Sequence, residues 1–292
     1  MNGPPPLGDA GPAGDPHRFE VVARGGARLQ AYRWERPQAV PARSTVLLVH
    51  GLGEHAGRYA PLLTALLAAG HSVVAYDQRG HGASDGRRGV LRDFDDLVDD
   101  LFAVAGAFEA DLSPGSVLFG HSMGGLVAIR ALQRGDRRWG AAVLSAPWLA
   151  TGFPLPLWKR AVRPLMLRVA PRWTIPAGVR GEHLTRDPER QADRARDPAV
   201  HDHVSAGLAA QAERAQQAAL HGSLPRDLPV LVIAPGEDPL TDVPVAVEWA
   251  RGTEARVTVT EVPDARHEPH NDRGREALFG ALLEWLASQA RD

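Results

Sequence analysis

Apolar residues are arranged in two alternating ways along this chain. Short, nearly unbroken apolar runs stand at 45–49, 72–76, 116–119, 142–144, 230–233 and 257–259. Runs of that length suit strands buried on both faces of a parallel sheet. Between them lie longer stretches whose apolar positions recur three and four residues apart, the spacing of one helix face. One covers 59–69 and is closed by Gly70, and another covers 93–108, with Phe94, Leu97, Leu101 and Val104 on one side. A third starts at Ser122 and passes Leu126, Val127, Ile129 and Leu132 to Gly135; the last holds Leu278, Leu282, Leu283 and Leu286. Segments 19–22 and 29–32 flank Gly25-Gly26 and predict an opening antiparallel hairpin. The alternation predicts an α/β fold: a mostly parallel central sheet with helices on both faces. Ligands in such sheets bind beyond the carboxyl ends of the strands.

The rhythm breaks between Trp148 and Leu228. Phe153, Leu155, Leu157, Trp158, Val162, Leu165, Met166 and Leu167 crowd its first part together with several prolines, and no clear strand is visible. Prolines at that density prevent one regular helix. We expect a helical cap at 148–227, inserted into a core domain made of 17–147 and 228–292. Residues 1–16 are mostly Gly, Pro, Ala and Asp. They lack the basic and apolar regions of a secretory signal and read as a disordered tail.

Composition narrows the possibilities. The 292 residues carry a formal charge of −2, with 33 basic and 35 acidic side chains and no long block of one sign, so nucleic acid is not an expected partner. There is no cysteine, hence no disulfide, thiolate metal site or cysteine nucleophile. No apolar run approaches the ~20 residues of a membrane-spanning helix. A cytoplasmic protein is expected, with the apolar cap in transient contact with a membrane surface. Oligomeric state is not legible.

Candidate chemistry centres on Gly120-His121-Ser122-Met123-Gly124, a G-x-S-x-G between a strand and a helix. The sharp turn exposes the serine hydroxyl, and the flanking glycines give it room. A serine needs a histidine to take its proton and a carboxylate to orient that histidine. In sheets with such an elbow the chain order is serine, acid, histidine. After the run at 230–233, Asp238 and Asp242 both qualify, with Glu237 behind them. Asp242 precedes Val243-Pro244 and reads better as a helix cap. After the run at 257–259 and its extension to Val262, His267 lies mid-loop. His270 lies beside Asn271-Asp272, a helix-start pattern that gives it a local role. Two N–H donors must face the tetrahedral oxygen: that of Met123, and that of Leu52 in His50-Gly51-Leu52-Gly53-Glu54-His55. Glu54-His55 and His267-Glu268-Pro269-His270 lack metal-site spacing, so neither metal nor cofactor is expected.

Three blocks resemble the monoacylglycerol lipase and lysophospholipase branch of the α/β-hydrolases. They are His50-Gly51-Leu52-Gly53-Glu54-His55-Ala56-Gly57-Arg58-Tyr59, Asp77-Gln78-Arg79-Gly80-His81-Gly82-Ala83-Ser84-Asp85-Gly86, and Gly120-His121-Ser122-Met123-Gly124-Gly125. The resemblance spans 18–145 and 228 onward. It implies the α/β-hydrolase fold, with Ser122 as nucleophile, His267 as base, Asp238 as its orienter, and the Leu52 and Met123 N–H groups as oxyanion donors. It also implies a serine ester hydrolase acting on a small lipid ester, with monoacylglycerol the preferred substrate. Alternatives are a lysophospholipase, a short- to medium-chain esterase, or a non-catalytic binding protein of this fold.

Overall fold

The computed structural model describes residues 14–112, 114–135, 138–153 and 157–289. Of the expected tail, residues 1–13 lie outside these, as do Pro154, Leu155 and Pro156 and the side chains of Leu157 and Trp158. The strands are β1 (His17–Val22), β2 (Arg28–Trp34), β3 (Thr45–Val49), β4 (Ser72–Tyr76), β5 (Ser116–His121), β6 (Trp139–Ser145), β7 (Thr174–Pro176), β8 (His203–Ser205), β9 (Pro229–Pro235) and β10 (Arg256–Val262). Among the described residues, eight of them form one sheet in the order β1-β2-β4-β3-β5-β6-β9-β10. The β1–β2 and β2–β4 pairs are antiparallel, and β4-β3-β5-β6-β9-β10 run parallel. The α/β-hydrolase architecture expected from the sequence is thus present.

Side-chain alternation along each strand feeds two core layers. Leu47 and Val49 of β3 face one layer, where α2 (Asp95–Ala107), α3 (Met123–Gln133) and α8 (Val243–Gly252) pack. Val46 and Leu48 face the other, with α1 (Ala60–Ala68) and α9 (Arg275–Gln289). The face predicted from the spacing of Phe94, Leu97, Leu101 and Val104 is fully inside.

Between β6 and β9 the chain makes a long excursion containing α4 (Leu157–Val169), α5 (Gly181–Leu184), α6 (Pro188–Arg196) and α7 (Ala206–His221). It also contains a β-ribbon that the sequence does not announce: β7 pairs antiparallel with β8, Thr174 opposite Ser205. Three residues are too few to display a period of two, and Pro176 is a poor strand former. Leu208, Ala212, Ala215 and Ala219 of α7 join the same core layer as α2 and α3.

The connection after β3 runs to β4 on one side, whereas that after β5 runs to β6 on the other. This is the switch point of the sheet, and a crevice forms there beyond the carboxyl ends of β3 and β5. The loops after β3, β5, β9 and β10 meet at that end.

Candidate active site

β5 is buried along its whole length and ends at His121, while α3 begins at Met123. Ser122 alone makes the corner, at φ 53°, ψ −116°. A non-glycine residue held there stores on the order of 1–3 kcal/mol of strain. Backbone bonds fix it: Ser122 N–H donates to Ser145 O (2.9 Å), and Ser122 O accepts from Leu126 N–H (3.1 Å) and Trp148 N–H (3.0 Å). The flanking glycines are obligatory. A Cβ on Gly124 would stand 2.2 Å from Val49 O, and one on Gly120 2.4 Å from Gly124 O.

The loop after β10 carries His267 to the serine. His267 Nε2 lies 2.8 Å from Ser122 Oγ, and Nδ1 lies 2.7 Å from Asp238 Oδ2 in the loop after β9. An ionised carboxylate only accepts, so Nδ1 carries the proton and Nε2 faces the hydroxyl as acceptor. Burial would push the imidazole down, but the Asp238 charge and hydrogen bond, helped by Glu268 and Glu54, raise it above the usual histidine range. Burial would likewise push Asp238 up; the charge and hydrogen bond of His267, the Thr241 hydroxyl and Leu240 N–H hold it low.

The alternative residues lie elsewhere. Asp242 Oδ1 accepts from Val245 N–H (3.3 Å) as the N-cap of α8. Glu237 pairs with Arg186 at the surface. His270 does not lie beside a helix start, because α9 begins only at Arg275. His270 sits in a short 3₁₀ turn, Pro269–Asn271, whose first position suits proline. Its buried ring stacks on Tyr59 with centroids 4.4 Å apart.

The loop after β3 passes directly against the serine: a Cβ on Gly51 would lie 3.2 Å from Ser122 Cβ. Glu54 Oε1 accepts from Gly51 N–H (2.5 Å) and from Tyr59 O–H (2.7 Å). Gly51 N–H is thereby taken, whereas Leu52 N–H has no partner among the described residues. Met123, the first residue of α3, has no intrahelical acceptor for its N–H. Both orphan donors flank the serine, and the helix N-terminus adds positive potential.

Sequence reasoning missed the network behind this loop. Arg58 donates to Glu268 Oε2 (2.8 Å) and lies 3.7 Å from Glu54 Oε2, while Asn271 Nδ2 donates to Glu268 (2.8 Å). Two buried carboxylates share one guanidinium. Burial and the Glu268 charge push Glu54 up to about 7. For Glu268 the effect of burial is overcome by Arg58, which holds it low. The network gives Glu54, Arg58 and Tyr59 a common task in holding the His50-Gly51-Leu52-Gly53 loop. Arg58 and Glu268 stand 210 positions apart, so no local pattern could pair them. Ligand atoms of Glu54, Glu268 and His270 come within 4.8 Å of one another, but Arg58 already supplies the positive charge between the carboxylates.

Several buried histidines are held neutral. Burial pushes His50 down to about 3, and His201 and His270 down to about 4. His50 Nε2 accepts Gln78 N–H (2.9 Å), a bond that protonation destroys. Each is protonated in the unfolded chain below about pH 6.5 but not in the folded one, so the unfolded state binds more protons. Stability contributed above pH 6.5 is lost as pH falls toward 4, by about 1.4 kcal/mol per pH unit for each group. His267 and Glu54, both raised when folded, act in the opposite sense, but they are outnumbered by these three histidines together with His81 and His121, which burial also pushes down. The thermal midpoint should therefore drop steadily from pH 7 to 5; a flat profile would contradict this reading of the histidines.

The sequence profile of the serine aminopeptidase S33 family matches residues 40–274. The chain belongs to that family. A monoacylglycerol lipase of Mycolicibacterium smegmatis is 31% identical over 279 residues, covering 93% of this chain and 96% of the relative. The crystal structure of Paleococcus ferrophilus monoacylglycerol lipase superposes with a TM-score of 0.79 at 30% identity, covering 89% of this chain and 99% of the other. An uncharacterized abhydrolase domain-containing protein of Dictyostelium discoideum is 26% identical over 246 residues; these cover 83% of this chain but about a quarter (26%) of that larger relative. This S33-family member is a carboxylic ester hydrolase of the monoacylglycerol lipase branch of the α/β-hydrolases.

Proposed function

We propose that the enzyme hydrolyses monoacylglycerols to fatty acid and glycerol through an acyl-enzyme on Ser122. The observation that carries the reading is the unbroken line Ser122 Oγ, His267 Nε2, His267 Nδ1, Asp238 Oδ2, with steps of 2.8 and 2.7 Å. His267 takes the serine proton as Oγ attacks the ester carbonyl. Leu52 and Met123 N–H receive the developing oxyanion. His267 returns the proton to the departing glycerol oxygen, then activates the water that releases the fatty acid. Asp238 holds the imidazole in the required tautomer and offsets its charge. No step calls for a metal or cofactor.

The excursion between β6 and β9 acts as the cap. It is tied to the loops after β3 and β4 by His55 Nε2 to Asp197 Oδ2 (2.7 Å), His201 N–H to Gly53 O (3.0 Å) and Ser205 N–H to Gly89 O (2.9 Å). Leu165, Val169 and Trp173 are 60–64% exposed there, interspersed with Arg168 and Arg172. Apolar side chains with arginines beside them suit transient contact with a lipid surface that delivers the substrate. Among the described residues no helix is long and apolar enough to cross a membrane.

The test is a panel of monoacylglycerols, lysophospholipids and p-nitrophenyl esters of graded chain length. Monoacylglycerols should give the highest kcat/KM, rising with chain length because each buried methylene contributes about 0.8 kcal/mol. A preference for lysophospholipids, or for short chains, would assign a different substrate to the same chemistry.

A further inference from the structure

The Asp238 carboxylate is closed off from solvent, and each of its oxygens has two donors. Oδ1 accepts from the backbone N–H groups of Leu240 (2.7 Å) and Thr241 (3.2 Å). Oδ2 accepts from His267 Nδ1 (2.7 Å) and from the Thr241 hydroxyl (2.5 Å). Thr241 is the one residue besides His267 whose side chain reaches this carboxylate among the described residues, and it takes the oxygen on which the imidazole depends.

Its hydroxyl is not free to leave. Thr241 is 5% exposed and forms an isolated antiparallel bridge with Thr151. Leu240 O accepts from Gly152 N–H (2.9 Å), and Asp242 N–H donates to Ala150 O (3.0 Å). A Cβ on Gly152 would lie 2.8 Å from Thr241 O, so the two segments touch along their backbones. The 150–152 segment is fixed in turn near the nucleophile, because Trp148 N–H bonds to Ser122 O (3.0 Å). The start of the excursion thus sets the position of the Thr241 hydroxyl relative to the serine.

We propose that Thr241 is a positioning residue for the hydrolytic reaction, its hydroxyl sharing Oδ2 of Asp238 with His267 and so fixing both the plane of the carboxylate and the strength of its hold on the imidazole. The inference rests on the Ser122–His267–Asp238 reading above. A carboxylate oxygen that already accepts one hydrogen bond holds its second proton donor less tightly. With the hydroxyl removed, Asp238 pulls harder on the Nδ1 proton and stabilises the imidazolium. The histidine then becomes protonated at higher pH and is a base over a narrower range. Other titratable groups facing His267 are Glu54, Glu268, His121 and His270; no bond joins any of them to Asp238, and a substitution at 241 leaves them in place.

The test is the pH dependence of kcat/KM for p-nitrophenyl butyrate in the wild type, Thr241→Val and Thr241→Ser. Valine keeps the β-branched shape and lacks the donor. Its acidic limb should move up by about half a pH unit or more, with kcat falling about tenfold and KM little changed. Serine restores the hydroxyl and should retain the wild-type limb and most of the rate. A valine variant whose limb stays in place overturns the proposal, whether or not its rate falls, and so does a serine variant that shifts like valine. Thr241→Ala carries the same test if valine fails to pack. Failure of the underlying reading looks different: the wild type would be inert toward the ester, or Ser122→Ala would be as active as the wild type.

Discussion

Ser122→Ala is expected to reduce kcat by about a million-fold and to leave the fold intact. The hydroxyl oxygen forms the covalent bond, so nothing remains for His267 to deprotonate. Residual hydrolysis above the uncatalysed rate would come from the oxyanion donors and substrate binding alone. Stability should hardly change. Alanine occupies the same strained corner (φ 53°), and the bonds that fix it are made by Ser122 N–H and O, not by the side chain. Unfolding midpoints together with burst and steady-state hydrolysis check both halves. His267→Ala should cost a similar amount, because serine and base act as one unit. A Ser122→Ala variant retaining a tenth of the activity would remove this serine from the mechanism.

Asp238→Asn is expected to lower kcat by about ten-thousand-fold, for a reason that the surrounding donors make specific. Leu240 and Thr241 N–H point at Oδ1 and require an acceptor there, so the asparagine carbonyl must take that position. Its NH₂ group then occupies the place of Oδ2 and donates to His267 Nδ1. The imidazole is forced into the tautomer with its proton on Nε2, facing Ser122, and can no longer accept from it. Asp242→Asn should lose little, since asparagine caps a helix about as well as aspartate. Rates of the two variants on one ester decide between the carboxylates; the reverse order would transfer the role to Asp242.

Much of the sheet is legible in the sequence because its strands are buried on both faces. Unbroken runs such as Thr45–Val49 and Ser72–Tyr76 coincide with β3 and β4 residue for residue. Others are longer in the structure than their apolar centres: β10 runs Arg256–Val262 because the backbone pairing extends past Val259 along β9. The corner at Ser122 is legible because a sharp strand-to-helix turn admits only glycine on either side. Between Asp238 and Asp242 the sequence offers a cap argument, and geometry separates them: one bonds the imidazole, the other the start of α8.

What escapes the sequence is held together at long range. The β7–β8 ribbon joins two three-residue segments with no period of their own. The bond between Arg58 and Glu268 links the loop after β3 to the loop after β10. Thr241 reads as an ordinary residue before a helix cap, and only the bridge to Thr151 turns its hydroxyl toward Asp238. His270 reads as local because its neighbours cap helices elsewhere, whereas stacking on Tyr59 draws it inward.

The most direct measurement is peptide mass spectrometry of the folded protein after treatment with a fluorophosphonate, which traps an activated serine irrespective of the natural substrate. One adduct is expected, on Ser122, formed rapidly in the wild type and far more slowly in His267→Ala. An unmodified Ser122 in a folded sample, or an adduct confined to another serine, would contradict it.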